Sequence, residues 1–361
     1  MAVIRILPIF LILAGVLSST SSSALVTLVR QPRQMAMGGI GVGLADDEYA
    51  LFNNPAGLAG QKTRQFRPVN VALEGSLDIY SSLSTVTDAL SNFGLGTLNE
   101  LMGQDIYLRA STAPLITLPN FTVAFIGDAQ GSLLIRNQAN PTYRIGNMLT
   151  YGFQAGMGWS FKSGRRPVDE WRFGLAGKML WRKGGIYDLS TPEFLSLAND
   201  AEGYIANLVG DYGMGFGADV GVQYVRHLDS KGSDLYFGAS LTDIGGTRFD
   251  VSTARAVPMN PSIGVGWVKN SDFLRFKAGL DLRNLDQETR FSNKLHFGTE
   301  TSLPLFDIYA GMNQLNLTYG AAFDIWVLRI TALSYAEELG VAFHQNTSRR
   351  YVLHVDFNLP I

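Results

Sequence analysis

Between Tyr212 and Tyr224 every even position (Tyr212, Met214, Phe216, Ala218, Val220, Val222, Tyr224) is apolar or aromatic. Every odd one (Gly213, Gly215, Gly217, Asp219, Gly221, Gln223) is small or polar. A two-residue period of this kind predicts a β-strand with one apolar face. The same beat runs through 69–79, 151–161, 171–181, 274–283 and 315–324. These runs approach the ~9–11 residues a tilted strand needs to cross a bilayer and exceed the ~5–6 of an average soluble strand. Several apolar faces end in Trp or Tyr (Trp159, Trp171, Trp181, Tyr212, Tyr224, Tyr351), as an interfacial girdle would. The fold class expected is therefore all-β, a transmembrane antiparallel β-barrel. A secreted soluble β-protein is the alternative.

Strands are expected near 69–80, 106–118, 120–136, 148–162, 170–183, 211–227, 233–243, 259–269, 272–284, 293–303, 305–313, 315–324, 327–343 and 350–359, an even count of about 14. In that register the connections after even-numbered strands are short, and those after odd-numbered strands include the long ones 81–105, 137–147, 184–210 and 244–258. This sorting matches short periplasmic turns and long outer loops. The final strand alternates Tyr351, Leu353, Val355, Phe357, Leu359 and Ile361, and Pro360 breaks its pattern.

The N-terminus sets the compartment. Arg5 precedes an apolar run from Ile6 to Leu17 and the small residues Ser18 to Ala24, which predicts a secretory signal peptide over 1–24, cleaved before Leu25. With strands as the spanning elements, the expected location is the outer membrane of a Gram-negative type envelope, with outer-membrane lipid as a partner. Composition narrows the classes further. Of the 361 residues 46% are hydrophobic and 17% charged, with net charge −2 and no cysteine. Disorder, a disulfide scaffold and thiolate metal sites are excluded, and no basic field attracts nucleic acid.

Residues 25–67 precede the first expected strand and are too long for a lead-in. They hold Met37-Gly38-Gly39, Ala45-Asp46-Asp47 and Asn54-Pro55-Ala56. Asp46 and Asp47 can cap a short helix through Phe52, and Pro55 can open a second one. Inward glycines, Gly213, Gly215, Gly217 and Gly221 on one strand and Gly152, Gly156 and Gly158 on another, leave room for a backbone inside the lumen. The alternative is that they ease wall curvature. The expectation is a hatch, with Asn54 bonded to the wall or its own turn and Pro55-Ala56 against inward glycines. The organisation expected is thus 1–24 signal peptide, 25–67 N-terminal hatch or plug and 68–361 barrel. Inward charges of both signs (Arg172, Lys178, Asp219, Arg275, Asp281, Arg283, Lys294, Glu300, Asp307, Asp356) are expected to form a lumenal network with it.

The three motifs of 25–67 resemble the N-terminal hatch of the FadL-type long-chain fatty-acid transporters and of their shorter relatives, the PorV/PorQ-like barrels. Glu337-Glu338-Leu339-Gly340 and Arg349-Arg350-Tyr351 resemble the PorV-like branch. The resemblance implies passive uptake of hydrophobic small molecules such as long-chain fatty acids. The alternative it implies is a PorV-like barrel that binds a secreted or surface protein.

Two loops favour a hydrophobic ligand: 81–105 carries Leu90, Phe93 and Leu98, and 184–210 carries Phe194, Leu197 and Tyr204. Apolar residues in outer loops form a capture groove or pack on each other as a lid. Thr191-Pro192-Glu193 offers a helix start in the second loop. Pro114 and Pro119 bracket 115–118 and weaken the second strand, a place for a lateral exit; a tolerated bulge and a plain turn are the other reading. Gly39-Ile40-Gly41-Val42-Gly43 lacks the spacing of a dinucleotide loop, and no hydrolase or P-loop signature occurs. His227, His296, His344 and His354 are dispersed. No enzyme activity, cofactor or metal is expected.

Overall fold

The computed structural model describes residues 29–81, 101–136, 142–163, 169–193, 209–229, 232–339 and 346–361; the expected signal peptide lies outside them. In chain order the strands are β1 (Gln65–Arg67), β2 (Asn70–Ser76), β3 (Asp105–Thr112), β4 (Leu115–Leu118), β5 (Phe121–Arg136), β6 (Thr142–Ser163), β7 (Asp169–Leu189), β8 (Gly213–Asp229) and β9 (Ser233–Thr242). They continue with β10 (Asn260–Asn270), β11 (Arg275–Leu282), β12 (Leu295–Ser302), β13 (Phe306–Asn313), β14 (Asn316–Ile325), β15 (Leu328–Glu338), β16 (Thr347–Phe357) and β17 (Leu359–Pro360). β2, β3 and β5 to β16 each pair antiparallel with the next, and β16 pairs back to β2, closing a barrel of 14 strands.

The short pieces β1, β4 and β17 carry the wall onward at one rim, where β1 pairs with both others. Pro68 is the cause of this step. Asn70 faces Asp356, whereas Phe66 faces Leu359, so the first strand carries one residue more than its neighbour across Pro68. A bulge accommodates a residue that has no N–H for the ladder. At Pro114 the wall is less disturbed: Thr112 faces Gly127, Leu115 faces Ala124, and the Phe125 N–H donates to the Pro114 carbonyl at 3.0 Å. Pro119 opens a tight turn in which Asn120 takes φ 64°.

Side-chain distribution is the reverse of a soluble barrel. Phe153, Phe216, Leu175, Phe237, Leu317 and Leu353 face outward and exposed, while Lys178, Arg182, Asp219, Gln223, Lys277, Asp281 and Glu300 are buried inside. Only a hydrocarbon surround makes this arrangement favourable, which defines a membrane-spanning barrel. Among the described residues no helix is long and apolar enough to cross a membrane. Girdle rings meet in pairs: Tyr151 stacks on Trp181 at 5.5 Å, and Trp171 lies tilted against Tyr224 at 4.8 Å.

Two strands run further toward the outer rim than the alternation predicts. β6 starts at Thr142 and β7 continues to Leu189, so 142–147 and 184–189 of the expected loops are strand, while β5 ends at Arg136 as expected. The extension is held by apolar packing: Leu101, Ile106, Ile135, Tyr143 and Leu189 form a buried cluster on these strand ends. The expected helix start at 191 is present, and its cap is Ser190, whose Oγ bonds the Glu193 carboxylate at 2.6 Å.

Candidate functional site

Residues 29–64 run inside the ring and are tied to the inner wall by backbone and side-chain bonds. The glycine-rich stretch wraps a carboxylate from β11. Asp281 Oδ2 accepts the N–H groups of Gly41 and Val42 at 2.6 and 2.7 Å, and its Oδ1 accepts Gly43 at 3.2 Å. Consecutive N–H groups aimed at one anion form a nest, and the side chain here is its fixed guest. Beside it Arg283 donates to the Gly39 carbonyl at 2.7 Å, and His296 Nδ1 lies 2.9 Å from the Gly38 carbonyl. Gly38 and Gly39 take φ 71° and 85°, which favours glycine at this reversal.

The Asn54-Pro55-Ala56 motif is the second anchor. Asn54 Nδ2 donates to the carbonyls of Val42 (2.9 Å) and Val222 (3.2 Å), and its Oδ1 accepts the Ala56 N–H at 3.2 Å. Asn54 thereby caps a 3-10 helix, Pro55–Gly60, with Pro55 in its first turn. A Cβ on Gly174 would fall inside the Pro55 backbone, and one on Gly221 would strike Asn54. Gly156 and Gly158 likewise face Leu51 and Ala59, while Gly298 and Gly311 face Met37. Gly213, Gly215 and Gly217 have a different neighbour from the one expected: Val251, Phe249 and Thr247 of the connection after β9. That connection folds into the outer end of the lumen, where the Asp250 N–H bonds the Met214 carbonyl at 3.1 Å.

Asp46 and Asp47 correct the helix-capping expectation. The short helix Ala50–Asn53 has no side-chain cap. The Asp47 Oδ1 takes the Tyr49 N–H at 3.1 Å, while Asp46 belongs to an ion cluster with Lys277 (2.7 Å), Arg33 (3.1 Å) and Arg275 (3.4 Å). Arg33 also binds Asp47 and Glu300, each at 2.5 Å. Burial would raise the Asp46 carboxyl, but Lys277, Arg33 and Arg275 outweigh it and hold it well below the carboxylate range. Next to this cluster Glu48 pairs with Arg67 at 2.5 Å. A polar cavity of about 250 Å³ opens here, toward the short-turn rim.

The other inward charges distribute as follows. Lys178 pairs with Asp219 (2.9 Å) and Asp243 (3.0 Å), and Arg172 with Glu170 (2.9 Å). Asp307 meets Arg329, and Asp356 meets Arg67. Lys294 is the exception: it lies outside the strands and donates to the Leu285 carbonyl in the connection after β11. Arg30, Glu74, Tyr335, Glu337 and Arg350 form a second buried network unmarked by the alternation; Glu337 binds Arg30 at 2.9 Å and Arg350 at 2.5 Å. His354 is buried beside Asn70 at 3.0 Å. Among the described residues no group of His, Asp and Glu could hold a metal ion.

One apolar spot interrupts this charged interior. Val29 and Phe52 of the N-terminal segment meet Phe249 of the infolded connection and Ile126 and Leu180 of the wall. The cavities touching it hold only about 30 and 20 Å³. With the segment and the connection in place, these two cavities are too small for a hydrocarbon solute. Leu90, Phe93, Leu98, Phe194, Leu197 and Tyr204 lie outside the described residues.

The fold and its interior define a transmembrane β-barrel with an internal N-terminal segment. No family model matches the sequence, and no curated protein matches it. Among solved structures the chain is similar to the Ralstonia pickettii toluene transporter TbuX, with 11% identity and TM-score 0.45 over 93% of this chain and 99% of that one. It is similar to the CymD monoaromatic hydrocarbon channel, with 11% identity and TM-score 0.45 over 94% and 99%. A Pseudomonas aeruginosa FadL homologue is similar at 11% identity and TM-score 0.31 over 94% and 98%.

Proposed function

We propose that the protein is an outer-membrane channel for passive uptake of hydrophobic small molecules such as long-chain fatty acids, with residues 25–67 as its hatch. The observation that carries this reading is the apolar cluster at the outer rim. Leu101 comes from the first long connection and Leu189 from the end of β7, and they bury each other with Ile106, Ile135 and Tyr143. The first long connection thus closes on the ends of β3, β5, β6 and β7 through apolar side chains, contacts that a hydrocarbon replaces at roughly 25 cal/mol per Å² of apolar area covered. The Val29, Phe52, Phe249 spot is the next apolar station, inside the lumen and against β5 and β7.

From there the exit proposed is sideways, between β3/β4 and β5 at Pro114. The wall there is lined by small residues, Ala113 and Gly127, and has one ladder donor fewer. Lateral release delivers an apolar solute to the bilayer without crossing periplasmic water. Replacing Pro114 with Val restores the missing N–H and should slow uptake of a fluorescent fatty acid several-fold, with the amount of folded barrel unchanged. Uptake at the parental rate in that variant would remove the lateral exit from the mechanism.

A further inference from the structure

The outer wall carries a depression that the transport reading does not use. Outward positions of β2, β3, β5, β6 and β7 align in rows across the strands. One row reads Leu73, Ala110, Ala129, Leu149, Lys183. The row toward the outer rim reads Leu108, Gly131, Asn147. On the other side lie Thr112, Gly127, Tyr151 and Trp181. Small residues therefore meet on neighbouring strands, ringed by Leu73, Leu108, Leu149 and the Tyr151–Trp181 pair. One more row along, the wall is bulky: Phe125, Phe153, Met179 and Phe216 stand side by side.

The result is a groove of about 930 Å³ in the wall. A Cβ on Gly131 would meet nothing within 4 Å, so its floor is not filled by neighbouring side chains. Its outer-rim end is charged. Lys183 lies over the Tyr212 ring at 4.9 Å, and Asp211 lines the same end. Lys183 forms no ion pair among the described residues.

We propose that this groove is a binding site for one phospholipid with an amine-bearing headgroup. An acyl chain lies across Ala110, Ala129 and Gly131. The phosphate sits at Lys183 and the ammonium beside Asp211. The groove faces hydrocarbon, so its occupant is a membrane lipid, and a cation and a carboxylate that both line its mouth match a zwitterionic head better than a purely anionic or uncharged one. A single lysine at a lipid surface contributes about 1 kcal/mol toward a phosphate, equivalent to roughly fivefold in occupancy.

The test is native mass spectrometry of the full-length barrel taken from bilayers of mixed phosphatidylethanolamine, phosphatidylglycerol and uncharged diacylglycerol. The parent should retain one phosphatidylethanolamine. Lys183→Gln should lower that occupancy roughly fivefold, and Ala129→Phe, which fills the floor, should abolish it. Gly131→Phe serves the same purpose if Ala129→Phe yields no folded barrel. Retention of the lipid by both filled variants, equal retention of all three lipids by the parent, or displacement by excess long-chain fatty acid would overturn the proposal. The last outcome would make the groove part of the cargo route. Failure of lipid retention leaves the uptake reading intact, because tracer uptake is measured separately.

Discussion

Removing residues 25–60 should turn a closed barrel into an open pore. A barrel of this strand number is wide enough for an aqueous channel once its filling is gone. The filling is specific: Gly174, Gly221, Gly158 and Gly298 are cut back to the backbone where 37–59 presses on the wall. Single-channel conductance and permeability to bulky antibiotics should both rise steeply. The infolded connection after β9 stays behind and keeps the pore narrower than the bare ring. Conductance and permeability at parental values in a folded barrel would show that the segment plugs nothing.

Asp281→Ala should have the next largest effect. It strips the acceptor from three N–H groups, those of Gly41, Val42 and Gly43, in a position where Asp281 is 1% exposed. Leaving a buried donor unpaired costs about 1–3 kcal/mol, so the loss falls on the order of several kcal/mol and is confined to the docking of the segment. Limited proteolysis of folded barrels should then cut between 30 and 60 far faster than in the parent, while the wall stays resistant. Asp281→Asn keeps one acceptor oxygen and should fall between the two. Equal protection in parent and Asp281→Ala would locate the anchor elsewhere, in the Arg33, Asp46 and Glu300 cluster.

The wall was legible because a strand's faces follow from a period of two, which needs no knowledge of neighbours. Phe216 outside and Asp219 inside follow from position alone. Inward glycines were legible for the same reason, but which segment they face was not. Gly221 meets Asn54, whereas Gly213, Gly215 and Gly217 on the same strand meet 247–251. That division is made by where the connection after β9 turns back, a tertiary choice. The ion clusters were only half legible. Arg33 reaches Asp46 from nearby in the chain, but Lys277 reaches it across more than 200 positions, and no local pattern marks such a meeting. The extended ends of β6 and β7 read as loops because their apolar residues pack on Leu101 instead of lipid. Likewise, the step at β1 comes from Pro68, whose bulge shifts the register without altering the alternation on either side.

Chemical analysis of gently extracted protein tests the central claim most directly. The account predicts that the purified full-length barrel carries a hydrophobic small molecule without phosphorus, such as a free fatty acid, in near-stoichiometric amount, and that Phe52→Asp together with Phe249→Asp removes it. A barrel free of such a molecule that co-purifies one-to-one with a secreted or surface protein would contradict the account and favour partner binding.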